Sequence, residues 1–540
     1  MKLFFMKNPT RFVRASTGLV REFSHFDIFV QTFSIVGVGM GSLTVLEYLP
    51  FFFPGADTAG VLFVSLLVAL VFATLWGGLT AALPRSGGDY VWMTRILPRF
   101  PVIGFMYAIM YGIFGQMLSV GGFLTYFYVN SVLSPTIAGV GLVSGNSALT
   151  KVAQFVATGN GLFMTGLILW GIAILTVSAR PGRISKLINI MWLFGLIAAF
   201  LWIIVGFAFG NQLFQKAFDG QFGAGQYVRI LSIGKQAGFT RLMPTVVATL
   251  SAGFSLGYLS SFSNFQIPVW AAGEIRRSEQ VWKPFYLALV LSAAVFIAIV
   301  ESMFHLMGSD WLGAISMAAN TPSTAGLLPF STAPSFVFFL TVLFKDNPIL
   351  VFLINAGLIV SGFVSFLVPI VANSRLIFSL SFDRMLPRAL ADVTGKSAVP
   401  IKAISLVGLL GIIWFGVYTY ASFVSAFLGS LPPLSVAWTI AALLFAFFPW
   451  LNKELYERTL PAIFKLRLGL PIITWLGFFI AITQAWASYA FVTSSLYPAF
   501  GEETLLLIVI GSLVAYFGIA KFRKRQGIDL RLLFDEIPPE

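Results

Sequence analysis

The chain has 540 residues, 58% of them hydrophobic and 16% aromatic, with 10% charged side chains and a mean hydropathy of +0.89. Soluble domains carry about 25% charged residues, so a soluble enzyme is excluded, and the recurring apolar runs exceed the roughly 18 residues that indicate a membrane span. The net charge of +13 is spread over short connections instead of forming one basic face, which points to the lipid bilayer and away from a nucleic-acid partner.

Cysteine is absent, so disulfides, iron-sulfur clusters and thiol catalysis are excluded. The two histidines, His25 and His305, are too few for a histidine-rich metal site. Residues 1–25 are basic and aromatic without the apolar core of a cleavable signal, so the first span is expected to act as the insertion signal.

Apolar length places spans near 27–49, 58–83, 101–130, 161–179, 187–209 and 244–272. Six more follow near 284–307, 348–373, 402–419, 422–449, 470–492 and 503–522. With these spans, 28 of the 34 Lys and Arg residues fall on one side, leaving Lys151, Lys216, Arg229, Lys235, Arg241 and Lys345 on the other. The positive-inside rule then predicts a multi-pass cell-membrane protein with an even number of spans and both termini cytoplasmic. Two external connections are long, 210–243 and 308–347. Each is either a cover for an outer vestibule or a solvated loop with short helices.

The first span contains residues 34–42, SIVGVGMGS, with three glycines and two serines. Glycine costs a helix roughly 1 kcal/mol relative to alanine, and backbone broken at membrane depth must be buried in protein or line a cavity. Span six contains residues 260–266, SSFSNFQ, with five polar side chains in seven positions. At 100° per residue these circle a regular helix, so either the backbone is irregular there or small polar residues mediate close helix packing.

Spans one and six hold equivalent positions if the first ten spans are two repeats of five, and paired interruptions of this kind mark transporter binding sites. Free N–H groups at a half-helix N-terminus suit an anionic group, and free carbonyls suit a cation. A zwitterion matches both, hence an amino acid.

Other polar groups in the spans are less specific. Glu301 and His305 share a face of span seven near its outer end, where they gate, carry a proton or pair at the interface. Glu47, at the outer end of span one, is expected to snorkel to water. Ser361 and Ser365 share a face of span eight and are candidate oxygens for Na+, the alternative being bonds to their own backbone. No HExxH, GxSxG or GxxxxGK[ST] occurs, so neither an enzyme nor an ATP-driven pump is expected, and no cofactor is implied.

Three stretches together resemble the amino acid-polyamine-organocation (APC) superfamily of transporters over most of the chain. They are residues 84–90 (PRSGGDY), residues 271–274 (AAGE) followed by Arg276 and Arg277, and residues 373–387 (NSRLIFSLSFDRMLP) with Val399 and Pro400 beyond. The resemblance implies an all-α polytopic membrane protein with about twelve helices in a five-plus-five inverted repeat, helices 1 and 6 being discontinuous. Repeat one covers about 27–209, repeat two about 244–449, and two extra helices about 470–522.

It further implies secondary transport by alternating access. The substrate carboxylate would lie on Gly37, Gly39, Met40, Gly41 and Ser42, and its amine on Ser260, Ser261, Phe262, Ser263 and Asn264, with Gln266 beside them. Tyr90, Phe105 and Glu274 are gating candidates, with Glu274 expected in an exposed pair with Arg276 or a cytoplasmic-loop arginine.

The chain departs from the family at several points. Counted back from Glu274, Asn264 and Gln266 stand where many members have glycine and glutamate, and a neutral pocket follows. A second register would put the break at residues 253–257. No lysine occurs between Leu187 and Gln215, where some proton-coupled members carry one. The expected function is transport of a neutral amino acid, coupled to Na+ or H+. The alternatives are transport of a polyamine or other small organic ion, and a non-transporting sensor with this fold.

Overall fold

The computed structural model describes residues 19, 21–394, 399–421, 423–459, 466–494, 497 and 501–534. Most of the basic N-terminal tail (residues 1–18), Lys396, Lys465 and residues 535–540 lie outside the described residues.

A chain this apolar satisfies its backbone hydrogen bonds in lipid by coiling each span into a helix. Among the described residues eleven helices are long and apolar enough to cross a membrane. They are His25–Phe52, Thr58–Ala82, Val102–Val143, Gly159–Val177, Pro181–Ala208, Trp282–Met307, Pro348–Phe382, Ile401–Tyr420, Gly429–Ala446, Ile472–Val492 and Gly501–Arg525. The sixth place is taken by a shorter apolar helix, Val246–Phe262, which stops well before the end expected for that span. The third and eighth helices overrun their expected ends because the segments beyond the apolar runs continue as helix. The described strands are a two-residue pair, Arg467–Leu468 and Leu470–Pro471.

Contacts between connections sort the ends of the spans into two faces. On the face holding the start of span one, Phe23 N–H donates to Glu274 O at 3.0 Å. There too Asn452 Nδ2 donates to Arg95 O at 3.1 Å and Arg523 Nε to Arg384 O at 2.8 Å. On the other face, Thr245 N–H donates to Gly55 O at 3.0 Å, and Arg241 pairs with Asp310 at 3.2 Å. The start of span one and the end of span twelve therefore share a face.

The two long connections fold into helices over the second face: Asn211–Phe222 and Gln226–Gln236 in one, Ser309–Asn320 and Phe336–Leu343 in the other. Phe214, Phe218, Trp311 and Phe339 interlock these helices edge to face, with centroids 5.1 to 6.2 Å apart.

Candidate functional site

Span one is two helices, His25–Val36 and Val38–Phe52, joined at Gly37, whose φ of +61° is left-handed. The Gly37 N–H closes the first helix on Phe33 O at 3.1 Å, and the Gly41 N–H opens the second on Gly37 O at 2.7 Å. Val38, Gly39 and Met40 thus form a first turn whose amides have no acceptor within their own helix. The Ser34 carbonyl, at the end of the first half, accepts from Ser365 Oγ of span eight at 3.1 Å.

Of the three glycines, Gly37 is the one the turn itself requires. A Cβ on Gly39 would lie 3.1 Å from Leu358 and 3.2 Å from Trp202, and one on Gly41 would lie 2.5 Å from the Phe296 ring. Those two are glycine because neighbouring helices approach them. Met40 is buried, and Ser42 Oγ bonds back to Val38 O at 2.7 Å.

Span six is wound as a π-helix over Gly253–Phe262, a form concentrated at functional sites. The Ser263 N–H reaches back five residues to Tyr258 O at 2.7 Å, the chain extends at Ser263, and Asn264 turns left-handed with φ +69°. Short 3₁₀ turns at Ile267–Trp270 and Ala272–Glu274 complete the crossing. Gly253, in the second register considered above, keeps a helical φ of −66°. Val38–Phe52 packs on the π-wound segment, and His25–Val36 on the Ile267–Trp270 turn.

The polar side chains of this segment divide into two groups. Ser260 Oγ and Ser263 Oγ bond back to Leu256 O and Leu259 O, each at 2.5 Å, as hydroxyls in membrane helices commonly do. Ser261 and Phe262 are buried, Phe262 against Phe296 with centroids 6.0 Å apart. Asn264 and Gln266 instead turn to span three. Asn264 Oδ1 accepts from Gln116 Nε2 and, at 3.5 Å, from Tyr111 OH, to which Gln266 Nε2 donates at 3.0 Å.

Among the described residues, Gln116 Oε1, Gln266 Oε1 and Tyr258 OH are buried without a hydrogen-bond partner. Buried polar atoms of this kind are completed by water or ligand. Tyr111 and Gln116 escaped sequence reasoning; the available signal was a glutamine between Gly112, Gly115 and an otherwise apolar run.

Below these breaks, toward the first face, lies buried charge. Glu274 does not form an exposed pair with Arg276. Both of its oxygens are held by Arg375, Nε to Oε1 at 2.7 Å and Nη2 to Oε2 at 3.0 Å, and both side chains are fully buried. Arg375 belongs to the helix Pro348–Phe382, because that helix continues past its apolar run.

Arg95 and Asp383 make a second buried two-bonded pair at 2.7 and 2.8 Å, and Tyr90 OH donates to the same carboxylate at 3.1 Å. Asp89 accepts from Trp270 Nε1 at 2.6 Å, Tyr107 OH at 2.5 Å, Trp76 Nε1 at 3.2 Å and Tyr90 N–H at 3.0 Å. Burial pushes its pKa up to about 6 against these lowering bonds. Phe105 lies apart from the charges, against Tyr516 of span twelve at 5.8 Å.

The remaining candidates are dispersed. Ser365 sits at the span-one break, and Ser361 Oγ bonds to Leu358 O at 3.3 Å. His305 Nδ1 is 3.0 Å from Gly206 O, while Glu301 lines a cavity of about 340 Å³ with Asp57, Arg241 and Asp310, so the two do not pair. Glu47 does not snorkel: it is buried, because the helix Ser309–Asn320 packs over this end of span one, its Ser316 Oγ and Asn320 Nδ2 donating to the Glu47 main-chain carbonyl at 2.6 and 2.9 Å. Among the described residues no three His, Cys, Asp or Glu side chains gather into a metal site.

No curated protein matches the chain. Residues 23–514, from just before the first span to within the last, match the family model described as Amino acid permease. With eleven helices long and apolar enough to cross a membrane and a shorter one in the sixth place among the described residues, and with interruptions in the first and sixth, the chain is a multi-pass membrane transporter of small molecules and belongs to the amino acid permease family.

Proposed function

We propose that this permease is a secondary active transporter of a neutral amino acid. Its ammonium and carboxylate would lie between the breaks at Gly37 and at Ser263 and Asn264, and alternating access would expose them to either side. The observation that carries this reading is the meeting of the two broken helices beside a buried, hydrogen-bonded cluster of amides and a phenol: Asn264, Gln266, Gln116 and Tyr111. The first-turn amides of Val38, Gly39 and Met40 suit a carboxylate, and the unpartnered carbonyl oxygens of Gln116 and Gln266 suit an ammonium group. No charged side chain belongs to that set, which favours a substrate without net charge over a polyamine.

The first face is cytoplasmic in this reading, supported by the concentration of Lys and Arg there. The buried pairs Glu274–Arg375 and Arg95–Asp383 hold it shut. Ser365, beside the Ser34 carbonyl, is the preferred oxygen donor should the coupling ion be Na+.

Counterflow of labelled amino acids in proteoliposomes tests the reading. Asn264→Gly keeps the left-handed backbone and removes the amide, so it is expected to slow counterflow roughly tenfold, the equivalent of one lost hydrogen bond. Unchanged counterflow in this variant removes Asn264 from the site, and binding without counterflow in the wild type makes the chain a sensor.

A further inference from the structure

On the face opposite the start of span one lies a cavity of about 810 Å³ whose wall includes Glu47, Tyr48, Tyr126, Asn130, Asn320 and Phe338. Glu47 is the one acidic side chain lining it, and no lysine or arginine does so among the described residues. One carboxylate oxygen, Oε2, accepts from Ser131 Oγ at 3.1 Å; the other, Oε1, is buried with no hydrogen-bond partner among the described residues.

The other buried carboxylates are provided for. Glu274 and Asp383 each face an arginine, and Asp89 has four donors. A buried carboxylate left with one hydroxyl donor is under-compensated unless it takes up a proton or a cation reaches it. Ser316 Oγ and Asn320 Nδ2 hold its main-chain carbonyl at 2.6 and 2.9 Å, which fixes the backbone of Glu47 beside the cavity.

We propose that this cavity is a second binding site, for the primary ammonium group of a small amine or amino acid, with Glu47 as its counter-ion. The rings of Tyr48 and Tyr126 in its wall suit an organic cation, and Asn130 and Asn320 add amide oxygens that can accept from an ammonium group. A single carboxylate among amides lacks the ligand charge that calcium or magnesium takes, and the absence of a lining cation disfavours phosphate. Glu47 shares the helix Val38–Phe52 with the Gly37 break, so occupancy here bears on a half-helix of the proposed central site.

The test is thermal unfolding of the purified full-length protein, since a ligand of the folded state raises the melting temperature by mass action. The probes are n-butylammonium, n-butanol as its neutral counterpart, and alanine. Butylammonium is expected to raise the melting temperature of the wild type and of Asn264→Gly but not of Glu47→Gln, and butanol to raise none. Gly326→Trp covers the case in which Glu47→Gln does not fold. Gly326 lines the cavity with φ −71° and open space beyond its Cα, so tryptophan fits without strain and is expected to diminish the butylammonium shift.

An alanine shift that survives Asn264→Gly and disappears in Glu47→Gln assigns the amino acid itself to this cavity. One lost only in Asn264→Gly assigns alanine to the central site and leaves a simple amine as the occupant. The proposal is overturned by an undiminished butylammonium shift in Glu47→Gln or Gly326→Trp, or by an equal shift with butanol. The proposed central site stands or falls separately, through Asn264→Gly.

Discussion

Arg375 and Glu274 meet as a parallel, two-bonded pair, Nε to Oε1 at 2.7 Å and Nη2 to Oε2 at 3.0 Å, with neither side chain reaching solvent. The pair ties the end of broken span six to span eight. Its main-chain neighbours tie it to span one as well, because Glu274 O and Arg276 N–H bond to Phe23 on either side, at 3.0 Å each. Three spans are thus joined at one residue.

Removing one partner of such a pair leaves the other charge buried and costs about 3–5 kcal/mol. Glu274→Gln and Arg375→Met are therefore each expected to lower the melting temperature in detergent sharply. The double variant Glu274→Leu with Arg375→Met is expected to recover part of the loss, since no orphan charge remains. Single variants as stable as wild type would show that the pair opens readily.

Tyr90 is expected to matter less than its neighbours. Tyr90→Phe removes one donor from Asp383 and costs about 1 kcal/mol, whereas Asp383→Asn deprives buried Arg95 of its counter-charge. Denaturation of the two variants side by side checks the ordering, and equal losses would make the hydroxyl as important as the charge.

Gly41→Ala places a methyl about where the Phe296 ring lies, 2.5 Å away. It is expected to disrupt the approach of span seven to span one, and Phe296→Leu is expected to restore much of the loss. Gly37→Ala, by contrast, is strained by its φ of +61° and costs about 1–2 kcal/mol. Phe296→Leu should not rescue it. Expression and melting temperature of the four variants separate steric crowding from backbone strain.

Asp89 gives a pH signature. Its pKa in the folded protein, about 6, stands above the model-peptide value, with burial as the largest cause. The folded protein therefore takes up a proton at a higher pH than the unfolded chain, so this component of stability is full below about pH 4 and is lost as pH rises through 6. Wild type is expected to gain melting temperature relative to Asp89→Asn as pH falls from 7 toward 5. Parallel curves for the two proteins would contradict the assignment.

Composition and apolar run length alone determined that this is a polytopic helical membrane protein, because a backbone in lipid has few ways to satisfy its hydrogen bonds. The interruptions in spans one and six were likewise legible, since glycine and clustered polar side chains disfavour a regular membrane helix. Which glycine makes the turn was not. Gly37, Gly39 and Gly41 look alike in sequence, and only the approach of Trp202, Leu358 and Phe296 separates the left-handed Gly37 from two glycines that make room.

The polar side chains of span six divide in the same way. Sequence proximity grouped Ser260, Ser263, Asn264 and Gln266, but the direction each points depends on the π winding and on the turn at Asn264, which send the amides to Tyr111 and Gln116 and the serines back to their own helix. The charge pairs were hidden for a related reason. Glu274 and Arg375 are 101 positions apart, and no local pattern says which arginine a buried carboxylate will find; that is decided by how spans six and eight cross.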